Sequence, residues 1–181
     1  NEICCFQSPS KVKSWFVTQN IFLFSSNGET KLFQTNEEDI QIPIQTDEET
    51  LNFKMIDGTN FIQIVNNGIY YNSSKFDFEF DDITSSSFSE NSFAVCDHSN
   101  DLHIFDLECQ PIFRNEFEFQ INAFDLFSNQ LFAISSWTTS SIIVFKNNKE
   151  NNQFEQYHEF KNVESIKLLF IDSTHLLSLS P

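Results

Sequence analysis

The chain of 181 residues has few of the residues that usually build tight turns, and few positive charges. Only three glycines and four prolines occur, so the turns must depend on the plentiful Asn, Asp and Ser, which tolerate left-handed or self-bonded turn conformations. Ten Lys and Arg stand against 26 acidic residues, which gives a formal net charge of −16. Binding of nucleic acid needs a clustered positive surface. We therefore predict that this segment does not bind nucleic acid directly.

The sequence also lacks a long apolar run and a charged-then-apolar leader, so we predict neither a membrane-spanning helix nor a membrane partner. Its four cysteines, Cys4, Cys5, Cys96 and Cys109, lack the dense regular spacing of a secreted disulfide scaffold. We therefore expect an intracellular, reducing compartment. Because the first residue is Asn rather than Met, we also expect a fragment of a longer polypeptide.

Phenylalanine, by contrast, is abundant, with 23 residues, and apolar residues recur in pairs of short runs. The clearest pair lies in residues 131–145, where a polar tip separates two apolar runs. That pattern predicts a β-hairpin. Weaker copies begin near residues 16, 61 and 93, and residues 176–179 resemble the opening of a fifth.

The spacing of these hairpins predicts the fold. With Val17, Val65, Val95 and Ile134 as anchors, successive copies are 48, 30 and 39 residues apart. A four-stranded propeller blade repeats at about 40–50 residues. The sequence therefore predicts an all-β, partial β-propeller array of four-stranded antiparallel blades. Because such an array leaves unpaired sheet edges, this too predicts a longer natural polypeptide.

Further strands are predicted between the hairpins. Phe alternates with acidic residues over 76–80 and 116–119, which predicts strands with one Phe-bearing face. Pro43 makes 40–44 an edge strand, and residues 121–126 and 165–171 are expected to lead into the hairpins that follow them. No stretch has a sustained helical period, so we predict very little helix.

The turns and loops are predicted from composition. The best turn signals are Asn66-Asn67-Gly68 and Ser26-Asn27-Gly28. Polar or acidic tracts are expected to be loops: 36–39, 47–49, 81–82 and 147–152. The short interval between Val65 and Val95 has two explanations, a domain boundary near Asp81-Asp82 or a short blade.

Several motifs occur in the order found in one family of multi-propeller proteins. Residues 60–64 with 67–69 are similar to its (F/L)IQI…(S/G) segment, and residues 15–24 with 27–29 to its FVGxTxVLxLNGEE segment. Residues 131–141 are similar to L-x-A-I-G-x-W-T-D-x-S, with Ser135 and Thr139 in place of the family's Gly and Asp. The chain thus resembles the large DNA damage-binding protein subunit, the propeller subunit of splicing factor three-B and the large cleavage-and-polyadenylation factor subunit.

This resemblance implies a non-enzymatic nuclear scaffold whose three propellers hold other proteins. Residues 1–81 would form the last blades of the first propeller, and residues 82–181 the first blades of the middle one. The Trp-Thr pair at 137–138 favours the damage-binding member, in which the middle propeller docks a cullin scaffold of a ubiquitin ligase and the other two take substrate receptors. A splicing or mRNA 3′-end scaffold is the alternative within the family. A propeller hydrolase is the alternative from another class. A third is an unrelated WD-type interaction protein, which Trp-Asp repeat endings would distinguish; the sequence has none.

The residues themselves give little support to catalysis or metal binding. Cys96, His98, His103 and Cys109 have metal-capable side chains, but their spacing matches no established zinc pattern. The acidic residues alternate with Phe or crowd into loops, and nothing isolates one carboxyl in an apolar pocket, as a glycosidase acid would need. We therefore predict no catalytic residue, no metal and no cofactor.

Trp137 is the one residue that the sequence singles out as a binding candidate. It lies at a hairpin tip among Ser and Thr, where an aromatic ring has little core to fill. Tip aromatics often anchor protein interfaces. The alternative is that the ring packs between neighbouring blades.

Overall fold

The computed structural model describes residues 12, 14–17, 21–34, 44–148, 150–151 and 153–181. This part of the chain contains β-strands and loops without any helix, as the absence of a helical period predicts. It accordingly offers no helix of the length and hydropathy that crossing a membrane requires. The strands are β1 (Ser14–Val17), β2 (Ile21–Ser26), β3 (Glu29–Gln34), β4 (Thr50–Met55), β5 (Phe61–Val65), β6 (Gly68–Tyr71), β7 (Ser74–Lys75), β8 (Ile83–Phe88), β9 (Ser92–Asp97), β10 (Asp101–Asp106), β11 (Pro111–Glu116), β12 (Ala123–Ser128), β13 (Leu131–Ser136), β14 (Ser141–Asn148), β15 (Gln153–Lys161), β16 (Lys167–Phe170) and β17 (Leu176–Leu179).

The chain divides into two compact units, residues 1–78 and 79–181. The first unit holds the antiparallel sheets β1-β2-β3 and β4-β5-β6-β7. Buried Leu23, Phe53 and Phe61 form its apolar core. The predicted turn at Asn27-Gly28 joins β2 to β3, and both residues have positive φ, 56° and 79°. These angles belong to the tight hairpin turn that matches the twist of the flanking strands.

A chain of buried hydroxyl and amide groups also joins the two sheets of the first unit. The Thr30 hydroxyl lies 2.8 Å from the hydroxyls of both Ser25 and Thr50. The Gln63 amide donates to the Thr50 hydroxyl at 2.7 Å and to the backbone oxygen of Gln45 at 2.7 Å. Buried polar groups must be paired in this way to avoid the cost of desolvation. We call these five residues the hydroxyl network.

The second unit holds the antiparallel sheets β8-β9-β10-β11, β12-β13-β14-β15 and β16-β17. The first strand of the middle sheet, β12, packs against the first strands of both other sheets, β8 and β16. Asp125 on β12 bonds to both neighbours, because its carboxylate accepts from the Ser87 hydroxyl at 2.6 Å and from the Phe170 backbone N–H at 2.7 Å.

Two apolar cores separate these three sheets, and β14 contributes to both. Ile143 and Phe145 pack with Phe132 in the core against the β8–β11 sheet. Ile142 and Val144, on the opposite face, pack in the core against β16 and β17. The alternation of side chains along a strand thus fills the space on both sides of one sheet.

The structure confirms the predicted hairpins. The apolar runs near residues 16, 61, 93 and 131 each begin an antiparallel strand pair. The predicted leading strands correspond to β12 and β16, and residues 176–179 pair with β16 as β17. Residues 36–39 and 40–43 lie outside the described residues.

Two strand predictions were wrong. Residues 76–80 form no strand, and of residues 116–119 only Glu116 lies in one. The expected alternation is present, since Phe76, Phe78 and Phe80 are less exposed than the acidic residues between them. Each segment follows the fourth strand of a sheet, β7 or β11, and forms no further strand of that sheet. The alternation of Phe and acidic residues therefore indicates which side chains are buried, but it does not show that the backbone pairs in a sheet.

Other strands were missed because their sequences have weak apolar patterns. The Ser-rich residues 84–88 form most of β8, and residues 147–148, predicted to be loop, end β14. The division between the units falls inside residues 76–80, near the predicted boundary at Asp81-Asp82. That the two units belong to different propellers stays a prediction.

Candidate protein-interaction surface on the second unit

The loops at one end of the second unit's sheets are bonded to one another. They comprise the turns between second and third strands and the connections from one sheet to the next. Residues 79–82, 97–101, 116–122, 137–140 and 162–166 form this loop face. Backbone N–H groups link neighbouring members: His98 donates to Asp81, Phe117 to Asn100 and Val163 to Ser140, at 2.8, 3.1 and 3.1 Å. The loops are therefore fixed by main-chain bonds rather than by their side chains alone.

Trp137 begins the turn between β13 and β14 on the loop face. Its backbone N–H donates to the Asn122 side chain at 2.6 Å, and its backbone oxygen accepts from the Ser140 N–H at 3.1 Å. The residue is 47 % exposed. An aromatic side chain is thus presented to solvent on a turn whose backbone is held from both sides. The hydrogen bond from the Trp137 N–H to Asn122 was not predicted, because it joins two different loops.

The loop face is also strongly acidic. A hollow of about 450 Å³ is lined by Glu79, Asp81, Asp101 and Glu116, with Arg114 as its cation. The Arg114 guanidinium contacts one oxygen of Asp101, at 2.6 Å through Nη2 and at 2.8 Å through Nε. A charge-assisted pair of this kind raises the pKa of Arg114.

Asp97, Asp101 and His103 form a buried cluster under this hollow, with potential ligand atoms within 4.8 Å of one another. Three backbone N–H groups, of Asp81, Ser99 and Asp101, already donate to Asp97. His103 Nε2 lies 3.2 Å from Asp101 Oδ2, and burial lowers the pKa of His103. Because Arg114 already neutralises Asp101, we interpret the cluster as part of the framework of the turn.

The other residues that the sequence analysis considered as metal ligands do not belong to this cluster. Among the residues that the structure describes, Asp97, Asp101 and His103 form the one cluster of this kind, and it includes none of Cys96, His98 and Cys109. Cys96 and Cys109 are buried free thiols, and burial raises the pKa of each to about 12. Such thiols are held in the protonated form, which is a poor metal ligand.

A repeated turn escaped the sequence analysis. Ile-Asp-x-Thr occurs at residues 56–59 and 171–174, each time between the first and second strands of a sheet. Asp57 accepts from the N–H groups of residues 59 and 60, and Asp172 from those of residues 174 and 175. These bonds hold the pKa of both carboxyls well below the usual range. The motif could have been found by comparing the segments that precede the second strands.

Comparisons with known proteins identify the fold. No protein-family model matches the chain, and no curated protein matches it. Its structure is similar to the N-terminal domain of Nup159, with 14 % identity and a TM-score of 0.54 over 85 % of this chain and 48 % of that one. It is also similar to a chain in an S. cerevisiae complex of Dbp5 bound to Nup159, Gle1, IP6 and ADP, with 13 % identity and a TM-score of 0.57 over 88 % and 49 %.

The chain therefore spans about half the length of the solved chains that it matches. These neighbours support the predicted propeller, but they do not support membership in the family of damage-binding, splicing and polyadenylation subunits. At this level of identity the likeness establishes the architecture alone: the chain is all-β with a partial β-propeller fold, and three of the sheets in its described residues are four-stranded antiparallel blades.

Proposed function

We propose that this chain is part of a β-propeller scaffold that binds other proteins through the loop face of its second unit. The exposed ring of Trp137, on a turn held by Asn122 and Ser140, carries this proposal. Aromatic side chains are enriched among the residues that dominate interface energies. A turn that is already ordered loses little conformational entropy on binding.

The acidic character of the loop face favours a partner with a positively charged surface. Glu79, Asp81 and Glu116 line the hollow against the single cation Arg114. Complementary charge accelerates encounter and selects among partners. The similar Nup159 structure is a complex with other proteins, Dbp5 and Gle1, which supports protein binding as a use of this fold.

We propose further that the chain belongs to a nuclear multi-propeller protein, and that this protein is the adaptor of a cullin-type ubiquitin ligase in the DNA damage response. The motifs at 15–29, 60–69 and 131–141 support this finer assignment. Their other relatives make a splicing or mRNA 3′-end scaffold the alternative. Proteins that co-purify with the full-length protein would discriminate the two: a cullin in the first case, spliceosomal or polyadenylation subunits in the second.

We also propose that the chain is not an enzyme. Hydrogen bonds lower the pKa of the carboxyls of Asp57, Glu155 and Asp172. A general acid near neutral pH needs the opposite shift. This supports a binding role over the hydrolase alternative.

The test compares two exposed tryptophans. Trp137→Ala in the full-length protein should weaken capture of the co-purifying partner at least about tenfold, the loss typical of an interface anchor. Trp15→Ala is the matched control, since Trp15 is 65 % exposed on the first unit. It should leave capture unchanged. Retained capture by Trp137→Ala, or a large fall in melting temperature, would refute the anchor role.

A further inference from the structure

The acidic residues of the second unit are concentrated around its first sheet. Residues 79–118, which contain β8–β11 and the loops before and after them, hold ten acidic residues and one base, Arg114, a net charge of −9. Five of these acids line the hollow of the loop face: Glu79, Asp81, Asp97, Asp101 and Glu116. Against the one guanidinium of Arg114, they give its lining a net charge of −4. A cleft lined by charges of one sign attracts ions of the other.

Asp101 is paired through only one of its two carboxylate oxygens. Its side chain is 8 % exposed, and both Nε and Nη2 of Arg114 contact Oδ2. Oδ1 is buried and has no hydrogen-bond partner within the described part of the chain. Arginine and carboxylate groups often pair through both oxygens instead. Because an unpaired buried acceptor has lost its bonds to water, Oδ1 would be stabilised by a further donor.

The loops that form the hollow are ordered by their own hydrogen bonds. The Asp81 carboxylate accepts from the Ser99 hydroxyl at 2.8 Å, and the Asp81 N–H donates to Asp97 at 3.3 Å. Glu79 and Glu116, by contrast, are exposed. A cation that enters the hollow therefore meets two exposed carboxylates on a frame that is already ordered, so its binding costs little conformational entropy.

The hollow also has an aromatic residue in its lining, Phe80. Phe80 is half-buried, and its ring lies edge-on to that of His103 with 5.3 Å between the centroids. Long basic side chains place their apolar stems along such surfaces and keep the charged end among polar groups. The hollow thus offers a contact for each part of a long basic side chain.

The pairing at Asp101 favours lysine over arginine as this side chain. Arginine pairs best with a carboxylate that offers both oxygens in one plane, and Oδ2 of Asp101 already contacts Arg114. Lysine carries a compact ammonium group whose three donors can bond to separate acceptors. A single free oxygen among other carboxylates matches the ammonium group better.

We propose that the hollow receives a lysine side chain of the partner, whose ammonium group donates to Asp101 Oδ1 and lies close to the carboxylates of Glu79 and Glu116. The inference rests on the proposed function, because it names the chemistry by which the loop face recognises its partner. Lysine in the hollow then provides specificity, and Trp137 provides the apolar anchor.

A fluorescent peptide of three Gly-Ser-Lys repeats serves as the probe, and fluorescence anisotropy measures its binding to the full-length protein. Acetylation of its lysines removes their charge and should weaken binding at least about tenfold. Replacement of its lysines by arginine should weaken binding about threefold. Equal binding of the lysine and acetyl-lysine peptides, or no binding of either, would overturn the proposal. An arginine peptide that binds as tightly as the lysine peptide would overturn the assignment to lysine.

A double variant with Glu79→Gln and Glu116→Gln tests the position of the site. It should bind the lysine peptide about fivefold more weakly, the loss expected for two exposed ion pairs. The matched control carries Glu90→Gln and Glu108→Gln, which change the net charge equally at the opposite end of the same sheet and should leave binding unchanged. All four residues are exposed, so both proteins should keep the wild-type melting temperature. Equal losses for the two variants would show general attraction by the acidic protein and contradict a site in the hollow.

Arg114→Gln should have the opposite effect. Removal of this cation frees Asp101 for the incoming ammonium group and should tighten binding of the lysine peptide about threefold. Lys161→Gln is the matched control, because the Lys161 side chain is 74 % exposed and ion-paired to Glu159, as Arg114 is 71 % exposed and paired to Asp101. Unchanged or weaker binding by a folded Arg114→Gln protein would refute a cation site here. If that variant fails to fold, the paired glutamate variants decide alone.

Trp137→Ala separates this inference from the proposed function. It should leave binding of the lysine peptide unchanged, because the peptide has no apolar side chain to contact the ring. Selective peptide binding together with undiminished partner capture by Trp137→Ala would refute the anchor role and support the hollow. Loss of partner capture by Trp137→Ala, with no preference for the lysine peptide, would refute the hollow and leave the anchor role intact.

Discussion

Both units join neighbouring sheets by apolar packing and by hydrogen bonds, but the main contribution differs between them. In the first unit, the hydroxyl network of Ser25, Thr30, Gln45, Thr50 and Gln63 connects one sheet to the next. In the second unit, Phe rings of adjacent sheets pack against each other, with those of Phe113 and Phe132 at 5.6 Å, and Asp125 adds hydrogen bonds from Ser87 and Phe170. Similar antiparallel sheets can therefore be joined by directional bonds or by non-directional burial.

The difference has consequences for tolerance to mutation. A hydroxyl network stabilises the fold only while each of its members has a hydrogen-bond partner. A buried polar group that lacks a partner has lost its bonds to water without replacing them, and this lowers the free energy of unfolding. An aromatic core loses stability in proportion to the volume removed and tolerates other shapes better. The predictions below test this contrast, beginning with the largest effect.

Phe132→Ala should produce the largest loss. Phe132 is fully buried and contacts the rings of Phe113, Phe145 and Phe154. Its truncation should lower the free energy of unfolding of the second unit by about 3–5 kcal/mol, measured by chemical denaturation. Phe160→Ala, at an exposed position, is the matched control and should cost much less. Similar losses for both variants would contradict an aromatic core at this joint.

Thr50→Val should destabilise the first unit by about 1–3 kcal/mol. The substitution keeps the shape of the side chain but leaves the Thr30 hydroxyl and the Gln63 amide each without one partner. Thr50→Ser retains the hydroxyl and should restore most of the loss. If chemical denaturation gave the same free energy of unfolding for Thr50→Val and Thr50→Ser, the hydroxyl network would not stabilise the contact between the two sheets.

Acid should affect the two units at different pH values. Burial lowers the pKa of His103, with Arg114 acting in the same direction and Asp101 and Asp97 opposing it. The unfolded imidazole takes up a proton below about pH 6.5 while the folded one stays neutral. The contribution of His103 to stability is therefore complete above that pH and decreases as the pH falls toward the lowered folded value.

In the first unit, the corresponding group is Asp57, whose pKa is lowered by hydrogen bonds from Asn60 and Thr59. Its contribution is present above the ordinary carboxyl pKa of 3.8 and decreases only below it. As the pH falls, the second unit should therefore lose stability before the first. The fluorescence of Trp137 in a Trp15→Phe variant reports on the second unit, and that of Trp15 in a Trp137→Phe variant reports on the first. His103→Gln should remove the difference between pH 6.5 and 4; an unchanged pH profile would contradict the assignment.

Substitution of the exposed tryptophans should have the smallest effect on folding. Trp15→Ala and Trp137→Ala should each change the free energy of unfolding by no more than about 0.5 kcal/mol, as is typical of surface positions. A loss of several kcal/mol at Trp137 alone, measured by denaturation, would show that its ring packs between blades.

Local patterns predicted much of the fold and one part of the candidate site. Trp137 was found because a hairpin tip is visible in the sequence as polar residues between two apolar runs. Asn122, which holds its backbone, was not found, because the bond joins residues 15 positions apart in different loops. The acidic hollow was likewise hidden, since its residues come from two loops and three strands.

By itself, the sequence determined where the chain pairs with its immediate neighbours, because a hairpin needs only two apolar runs and a turn such as Asn27-Gly28. Only the tertiary structure decided whether an alternating segment becomes a strand, since residues 76–80 have the pattern but form no strand. It also decided which polar residues join the sheets. Asp125 bonds to Ser87 and to Phe170, 38 and 45 positions away, and no local pattern carries information over such a distance.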